Sequence, residues 1–191
     1  MTDIDVIQKF KESGALLEGH FLLSSGLHSP VYLQCAIALQ QTKDAAAFGE
    51  AIAARLSSDQ IETVASPAIG GLVIGYEVAR QLGRRFIWTE RENGQMTLRR
   101  GFTLRPAERV VVIEDVITTG GSTRETIDAL RNAGANVVAA ASIIDRSGGQ
   151  ADVGVPRFSL ATLTVAAVPH ERCEACRHGD QVVKPGSRSA A

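Results

Sequence analysis

The sequence predicts an α/β domain: a central, mainly parallel β-sheet flanked by helices. Three observations predict it. Short apolar strand-like runs alternate with helical segments along the chain, the pattern of βα units. The run Val110-Val111-Val112-Ile113 is β-branched throughout, which suits a strand covered on both faces. Two glycine-bearing loops, at 66–71 and 118–122, each follow a strand and open a helix. In such sheets ligands sit at the carboxyl ends of strands, near a switch in strand order.

The elements follow in order. Residues 4–13 make a short amphipathic helix. Residues 16–36 alternate loosely and contain turn residues, so they read as small strands or a hairpin outside the main sheet. Residues 43–56 are an alanine-rich helix with Thr42 as its N-cap. A strand over 61–65 precedes a helix over 71–82 that stops at Gly83, and 86–89 begins another strand. The stretch 90–106 is polar, contains glycine and is expected to be mobile. The 110–113 strand leads to a helix over 123–133 closed by Gly134, then strands over 137–144 and 160–165. The tail from Lys184 is expected to be loosely held. No long linker or repeat divides residues 1–191, which read as a single domain.

Composition sets the class. The chain has 191 residues, 45% hydrophobic and 21% charged, enough for one well-buried core. A net charge of −1 gives no electrostatic case for nucleic acid or membrane binding. The longest apolar runs are strand-length, too short to span a bilayer. The acidic start Met1-Thr2-Asp3-Ile4-Asp5 lacks a signal peptide's basic and apolar regions, so a cytoplasmic location is the default expectation. Three cysteines, Cys35, Cys173 and Cys176, make no disulfide framework.

The chemistry concentrates after the 110–113 strand. The loop Thr118-Thr119-Gly120-Gly121-Ser122 opens a helix and so points several backbone N–H groups at one spot, an anion site most often for phosphate. Glu114 and Asp115 stand just before it and would repel a phosphate unless they serve another end. Two tasks fit: accepting hydrogen bonds from sugar hydroxyls, or holding Mg²⁺ through its waters. A ligand with a phosphate, free ribose hydroxyls and a metal-bound polyphosphate satisfies the whole segment. A Walker A loop and a G-x-G-x-x-G fingerprint are both absent.

This segment resembles the phosphoribosyl-pyrophosphate (PRPP) loop of the type I phosphoribosyltransferases. Two more blocks are similar to the orotate phosphoribosyltransferases of that family. Phe21-Leu22-Leu23-Ser24-Ser25-Gly26-Leu27-His28-Ser29-Pro30-Val31-Tyr32 resembles their hood segment, and Ile143-Ile144-Asp145-Arg146 resembles their strand ending in D-R. The resemblance implies the type I phosphoribosyltransferase fold with a small N-terminal hood over about 1–40. It implies transfer of the 5-phosphoribosyl group from PRPP to orotate, with Mg²⁺ as cofactor and a homodimer as the assembly.

It also implies the site. Glu114 and Asp115 would hold the ribose, with Val116, Ile117, Thr118, Thr119, Gly120, Gly121 and Ser122 around the 5′-phosphate. Ser66, Ala68, Ile69 and Gly70 would meet the pyrophosphate; Ile69-Gly70 stands where many members carry a lysine, so backbone N–H groups would have to do this. Ser25, Gly26, Tyr32, Thr118 and Arg146 would bind orotate, Arg146 pairing with its carboxylate. Magnesium would be held through substrate oxygens, with no firm protein ligand. The stretch 89–102 matches the family's catalytic loop, yet it lacks the usual lysines and histidine and offers only Arg91, Arg99 and Arg100. Arg91, nearest the preceding strand, is the preferred catalytic cation, and a solvated hairpin with scattered charge is the plain alternative.

Two other readings stand beside this one. A purine-base phosphoribosyltransferase would leave Arg146 without a partner. A non-catalytic PRPP-sensing regulator would ordinarily show a basic face or an added domain. Finally, His170-x-x-Cys173-x-x-Cys176-x-His178 offers two cysteines and two histidines to a metal. One knuckle instead of two, with a single residue between Cys176 and His178, favours a reduced pair or a disulfide. Cys35 reads as a small buried hydrophobe, His20 and His28 as residues flanking the hood, with a surface role preferred over ligand contact for His28, and Trp88 as core or rim.

Overall fold

A computed structural model of the chain describes residues 1–23, 26–56 and 60–185. Its main sheet has six strands: β3 (Thr63–Pro67), β4 (Arg85–Glu92), β5 (Gln95–Leu98), β6 (Arg109–Ile117), β7 (Asn136–Asp145) and β8 (Arg157–Thr162). They lie in the order β5-β4-β3-β6-β7-β8, parallel except for β5, which runs antiparallel to β4. The chain therefore leaves β3 toward β4 on one side and returns to β6 on the other. That reversal parts the loops after β3 and β6 and opens a crevice between them.

Helices α3 (Thr42–Ala53) and α4 (Gly71–Leu82) cover one face, and α5 (Gly121–Asn132) covers the other. The period-two alternation of β6 divides its apolar run between them. Val110 and Val112 pack with Ala65, Ile87, Ile127 and Leu130 under α5, whereas Val111 and Ile113 pack with Phe48, Ile52, Ile74 and Val78 under α3 and α4. All four are fully buried, as a doubly covered strand requires. Helix α1 (Asp3–Glu12) is closed by a capping box between Thr2 and Asp5 and joins the same core through Phe10, whose ring lies 5.7 Å from that of Phe48.

Outside the main sheet, β1 (Leu16–Leu22) and β2 (His28–Leu33) form an antiparallel hairpin, the expected hood. The C-terminal segment straps it: Leu22 N donates to Val183 O, Val183 N to His20 O, and His28 and Val168 exchange both backbone bonds. Two short helices, α2 (Cys35–Leu39) and α6 (Glu174–Arg177), and a 3-10 turn (His170–Arg172) were not expected from the sequence.

Two expectations need correction, and one alternative is found. Thr42 lies inside α3, because Asp44 N and Ala45 N both bond to the Gln41 carbonyl, which makes Gln41 the cap. Within 90–106, β4 and β5 pair as the hairpin that was the plain alternative there, across an Asn93-Gly94 turn whose two residues have φ of 51° and 83°. Asn-Gly is the residue pair such a two-residue hairpin favours. His20 and His28 are buried, not on the surface. Among the described residues, no helix is long and apolar enough to cross a membrane.

Candidate active site

The end of β6 brings the acid pair to the crevice. Glu114 is 5% exposed and accepts a hydrogen bond from Ser122 Oγ at 2.7 Å, on the side of α5. Asp115 is half-buried, accepts from Val116 N at 2.8 Å, and is hydrogen-bonded to the thiol of Cys35 at the start of α2. The two carboxyls thus turn to opposite sides of the strand, as alternation dictates. Burial, and then the charge of Asp115, push Glu114 up to about 8 against the Ser122 hydrogen bond. Burial likewise raises Asp115, although its backbone and Cys35 hydrogen bonds oppose it.

This has a consequence for stability. Burial and the neighbouring Asp115 push the Glu114 carboxyl up from its ordinary 4.5 in the unfolded chain to about 8 in the folded one, so the folded chain holds the proton more tightly. Its contribution is full below 4.5 and is lost as pH rises through 8. The unliganded chain is therefore expected to lose stability on the order of a few kcal/mol across that window. In Glu114→Gln the loss should shrink. Thermal melts of both proteins from pH 5 to pH 9 read it, and parallel curves would remove Glu114 as the cause.

The two glycine loops flank these acids. After β3, Ala68 N bonds to Thr89 O, the Ala68–Ile69 peptide is cis, and Ile69 is 84% exposed. A Cβ on Gly70 would sit 2.9 Å from both Asp115 carboxylate oxygens, so this backbone is pressed directly on the acid. The Ser66 side chain instead faces into the fold, where a Cβ on Gly75 of α4 would meet its Oγ at 2.0 Å. After β6, Thr118 and Thr119 are exposed and Gly120 takes φ 75° just before α5. A side chain there would also strike Val153 at 2.9 Å. Arg124 ties this loop down by donating to Thr119 O and Asp152 O. Thr123, in the first turn of α5, has a buried hydroxyl with no hydrogen-bond partner among the described residues.

Arg146 follows β7, its N–H bonded to Ile117 O at 2.8 Å, which sets it beside the end of β6. Among the described residues its Nε is buried without a hydrogen-bond partner, and burial lowers its pKa while Cys35 and Tyr32 act in the other direction. A buried guanidinium nitrogen left unpaired is costly, which makes it a place for a ligand's acceptor. Its neighbour Asp145 is fully engaged, accepting from Ser147, Gly149 and Arg157. Tyr32 OH donates to Gln34, and Gly26 lies in the turn of the hood hairpin with φ 80°. Ser25 lies outside the described residues.

The loop cations are all engaged. Arg91 pairs with Glu125 of α5 and donates to Gly94 O at 2.7 Å. Arg99 pairs with Glu92 at 3.1 Å, and Arg100 makes two bonds to Glu90. Those bonds from Arg100, then one from Trp88, pull Glu90 down to about 2. Trp88 itself is at the rim, edge-on to Phe102 at 4.7 Å. The site thus joins Glu114, Asp115, both loops and Arg146, while Arg91 is held on α5. Cys35 was not foreseen as a partner of Asp115: its apolar surroundings in sequence gave no sign of a contact 80 positions away.

Comparison with known proteins shows the family and the fold. Residues 38–164 match the family model of the phosphoribosyl transferase domain. The chain is 50% identical over 187 residues to the orotate phosphoribosyltransferase of Carboxydothermus hydrogenoformans, covering 97% of this chain and 98% of that protein. It is 50% identical over 178 residues to that of Thermotoga maritima, covering 93% and 95%. The crystal structure of orotate phosphoribosyltransferase from Aeropyrum pernix superposes with a TM-score of 0.68 at 29% identity, covering 83% of this chain and 93% of that one. An adenine phosphoribosyltransferase from Thermoanaerobacter pseudethanolicus, 18% identical with a TM-score of 0.60 over 70% of this chain and 88% of that one, shares the fold.

Proposed function

The chain belongs to the orotate phosphoribosyltransferases, and from that membership we propose how its own residues carry the reaction. It transfers the 5-phosphoribosyl group of PRPP to orotate, giving orotidine 5′-monophosphate and pyrophosphate in pyrimidine biosynthesis. As pyrophosphate leaves, C1 of the ribose becomes oxocarbenium-like, and a ring nitrogen of orotate attacks it. Glu114 and Asp115 accept hydrogen bonds from the ribose hydroxyls, and their negative charge favours the positive ring. Thr118 to Ser122 hold the 5′-phosphate with the free N–H groups at the start of α5 and their hydroxyls. The backbone N–H groups of Ile69 and Gly70 meet the pyrophosphate; Ala68, whose N–H is held by Thr89 O, and Ser66, whose hydroxyl is turned inward, shape that loop from behind. No covalent nucleophile is required.

Asp115 lies against Gly70, so its carboxylate and the oxygens of a bound pyrophosphate would share one spot, a donor set suited to a hard cation through its water shell. Mg²⁺ bound there by substrate oxygens would neutralise the leaving group. The observation that carries the choice of base is Arg146, whose buried Nε, unpaired among the described residues, is matched better by the charged carboxylate of orotate than by the neutral acceptors of a purine. Loss of orotate absorbance with PRPP and Mg²⁺ tests it directly. Turnover of hypoxanthine, guanine, adenine or uracil in preference to orotate would overturn the assignment.

A cytoplasmic homodimer completes the reading. Val73 and Tyr76, on one side of α4, and Ile69 in the pyrophosphate loop before it are exposed large apolar residues, which supports a second copy there. Arg91 would then exchange Glu125 for the pyrophosphate of the partner's site. Arg91→Ala and Asp115→Asn homodimers are each expected to be nearly inactive. Mixed one to one with subunit exchange, they should recover about a quarter of wild-type activity, since half the dimers then carry one intact site. Proven heterodimers without recovery would confine Arg91 to its own subunit.

A further inference from the structure

We propose that the chain carries a structural zinc site formed by His20, His28, Cys173 and Cys176, which fastens the C-terminal strap to the hood. The four ligand atoms, His20 Nε2, His28 Nδ1 and the two Sγ, lie within 4.8 Å of one another. Both cysteines are free thiols. Cys173 Sγ is 3.4 Å from His20 Nε2, and Cys176 Sγ is 3.4 Å from His20 Nε2 and 3.3 Å from His28 Nδ1. Tetrahedral zinc, with bonds of about 2.3 Å to sulfur and 2.0–2.1 Å to nitrogen, sets such nitrogen–sulfur edges at about 3.6 Å. The His20–His28 edge, 2.7 Å, is that of a hydrogen bond and must open by about half an ångström when both rings turn their lone pairs to one ion.

The surroundings are those of a ligand set. His20 Nδ1 meets the Asp180 carbonyl at 3.1 Å, so that nitrogen carries the proton and Nε2 presents its lone pair to the cluster. His170 Nδ1 lies 3.3 Å from Cys176 Sγ, placed to donate to a thiolate. Two thiolates and two imidazoles select zinc over the hard Mg²⁺ of the reaction. His178, which the sequence pattern had offered as a ligand, is exposed and outside this set.

A need for the ion is also visible. Among the described residues, neither apolar core includes any residue of 166–185, and Val182 and Val183 are exposed. The strap holds the hood through its backbone bonds to His20, Leu22 and His28 and through this cluster. A small module without a core of its own ordinarily needs a disulfide or a metal. The hairpin so fastened also carries Gly26 and Tyr32, so its order bears on the base side of the site.

The test is metal content of the full, untagged chain purified from zinc-supplemented cells. About one zinc per chain is expected, falling to near zero in Cys173→Ser/Cys176→Ser and in His20→Ala, and unchanged in His178→Ala. Cobalt exchanged into the wild-type protein, which needs no variant to fold, should show a tetrahedral ligand-field band with thiolate-to-metal charge transfer. Removing the zinc should speed amide exchange over 166–183 and the hairpin while leaving the main sheet protected. A wild-type chain that binds no zinc, a Cys173–Cys176 disulfide in the isolated protein, cobalt without thiolate charge transfer, or zinc that survives loss of both cysteines would each overturn the proposal.

Discussion

Glu114→Gln with Asp115→Asn is expected to fold as the parent does and to turn over at least about 10²-fold more slowly. Folding should survive because each amide keeps the oxygen that now accepts from Ser122 Oγ and Val116 N. Two raised carboxyl pKa values show that the fold already disfavours negative charge at these positions, so neutral amides fit the unliganded chain well. The reaction has the opposite need. Charge on the ribose ring becomes positive only as pyrophosphate leaves, and ionised carboxylates beside it are stronger partners in the transition state than in the ground state. The loss should therefore fall mainly on kcat. Circular dichroism and thermal melts establish the fold, and steady-state rates with orotate and PRPP establish the defect. A folded double variant with near-normal kcat would remove the acid pair from the chemistry.

The sequence made one half of this site readable and hid the other for a physical reason. Whatever is local was visible. The β-branched run 110–113, the acids that follow it and the Thr-Gly-Gly-Ser turn are continuous in the chain, so strand, loop and helix could be placed from pattern. Helix α4 begins and ends where its glycines predict, at Gly71 and before Gly83. The Asn93-Gly94 turn was also local, and it pairs β4 with β5 as the hairpin that was the plain alternative for this stretch. Contacts between distant residues were not visible. Cys35 reaches Asp115 only because α2 passes the end of β6. The histidines that meet Cys173 and Cys176 come from 153 and 148 positions away, delivered by strap bridges at Val168 and Val183. A reading confined to spacing grouped the cysteines with the nearest histidines and so included His178.

Arg146→Ala is expected to raise the KM for orotate strongly while PRPP affinity stays almost unchanged. The reasoning starts from the free protein. Arg146 Nε is buried with no partner, and burial lowers the guanidinium's pKa, so the unliganded chain carries the cost of a poorly solvated cation. An orotate carboxylate would supply the missing acceptor with two parallel hydrogen bonds, and truncating one side of such a pair typically costs ~2–5 kcal/mol. The same truncation removes the desolvated charge from the free protein, so the variant should melt no lower than the parent. Lysine at this position keeps the charge but not the fork, and should rescue little. PRPP contacts lie on the loops after β3 and β6 in this reading, and the backbone bond from Arg146 N to Ile117 O at the end of β6 is one that alanine preserves. Titration calorimetry of each substrate separates the outcomes. An equal fall in both affinities would mean that Arg146 organises the crevice as a whole, and the assignment of orotate over a neutral base would then lose the observation on which it rests.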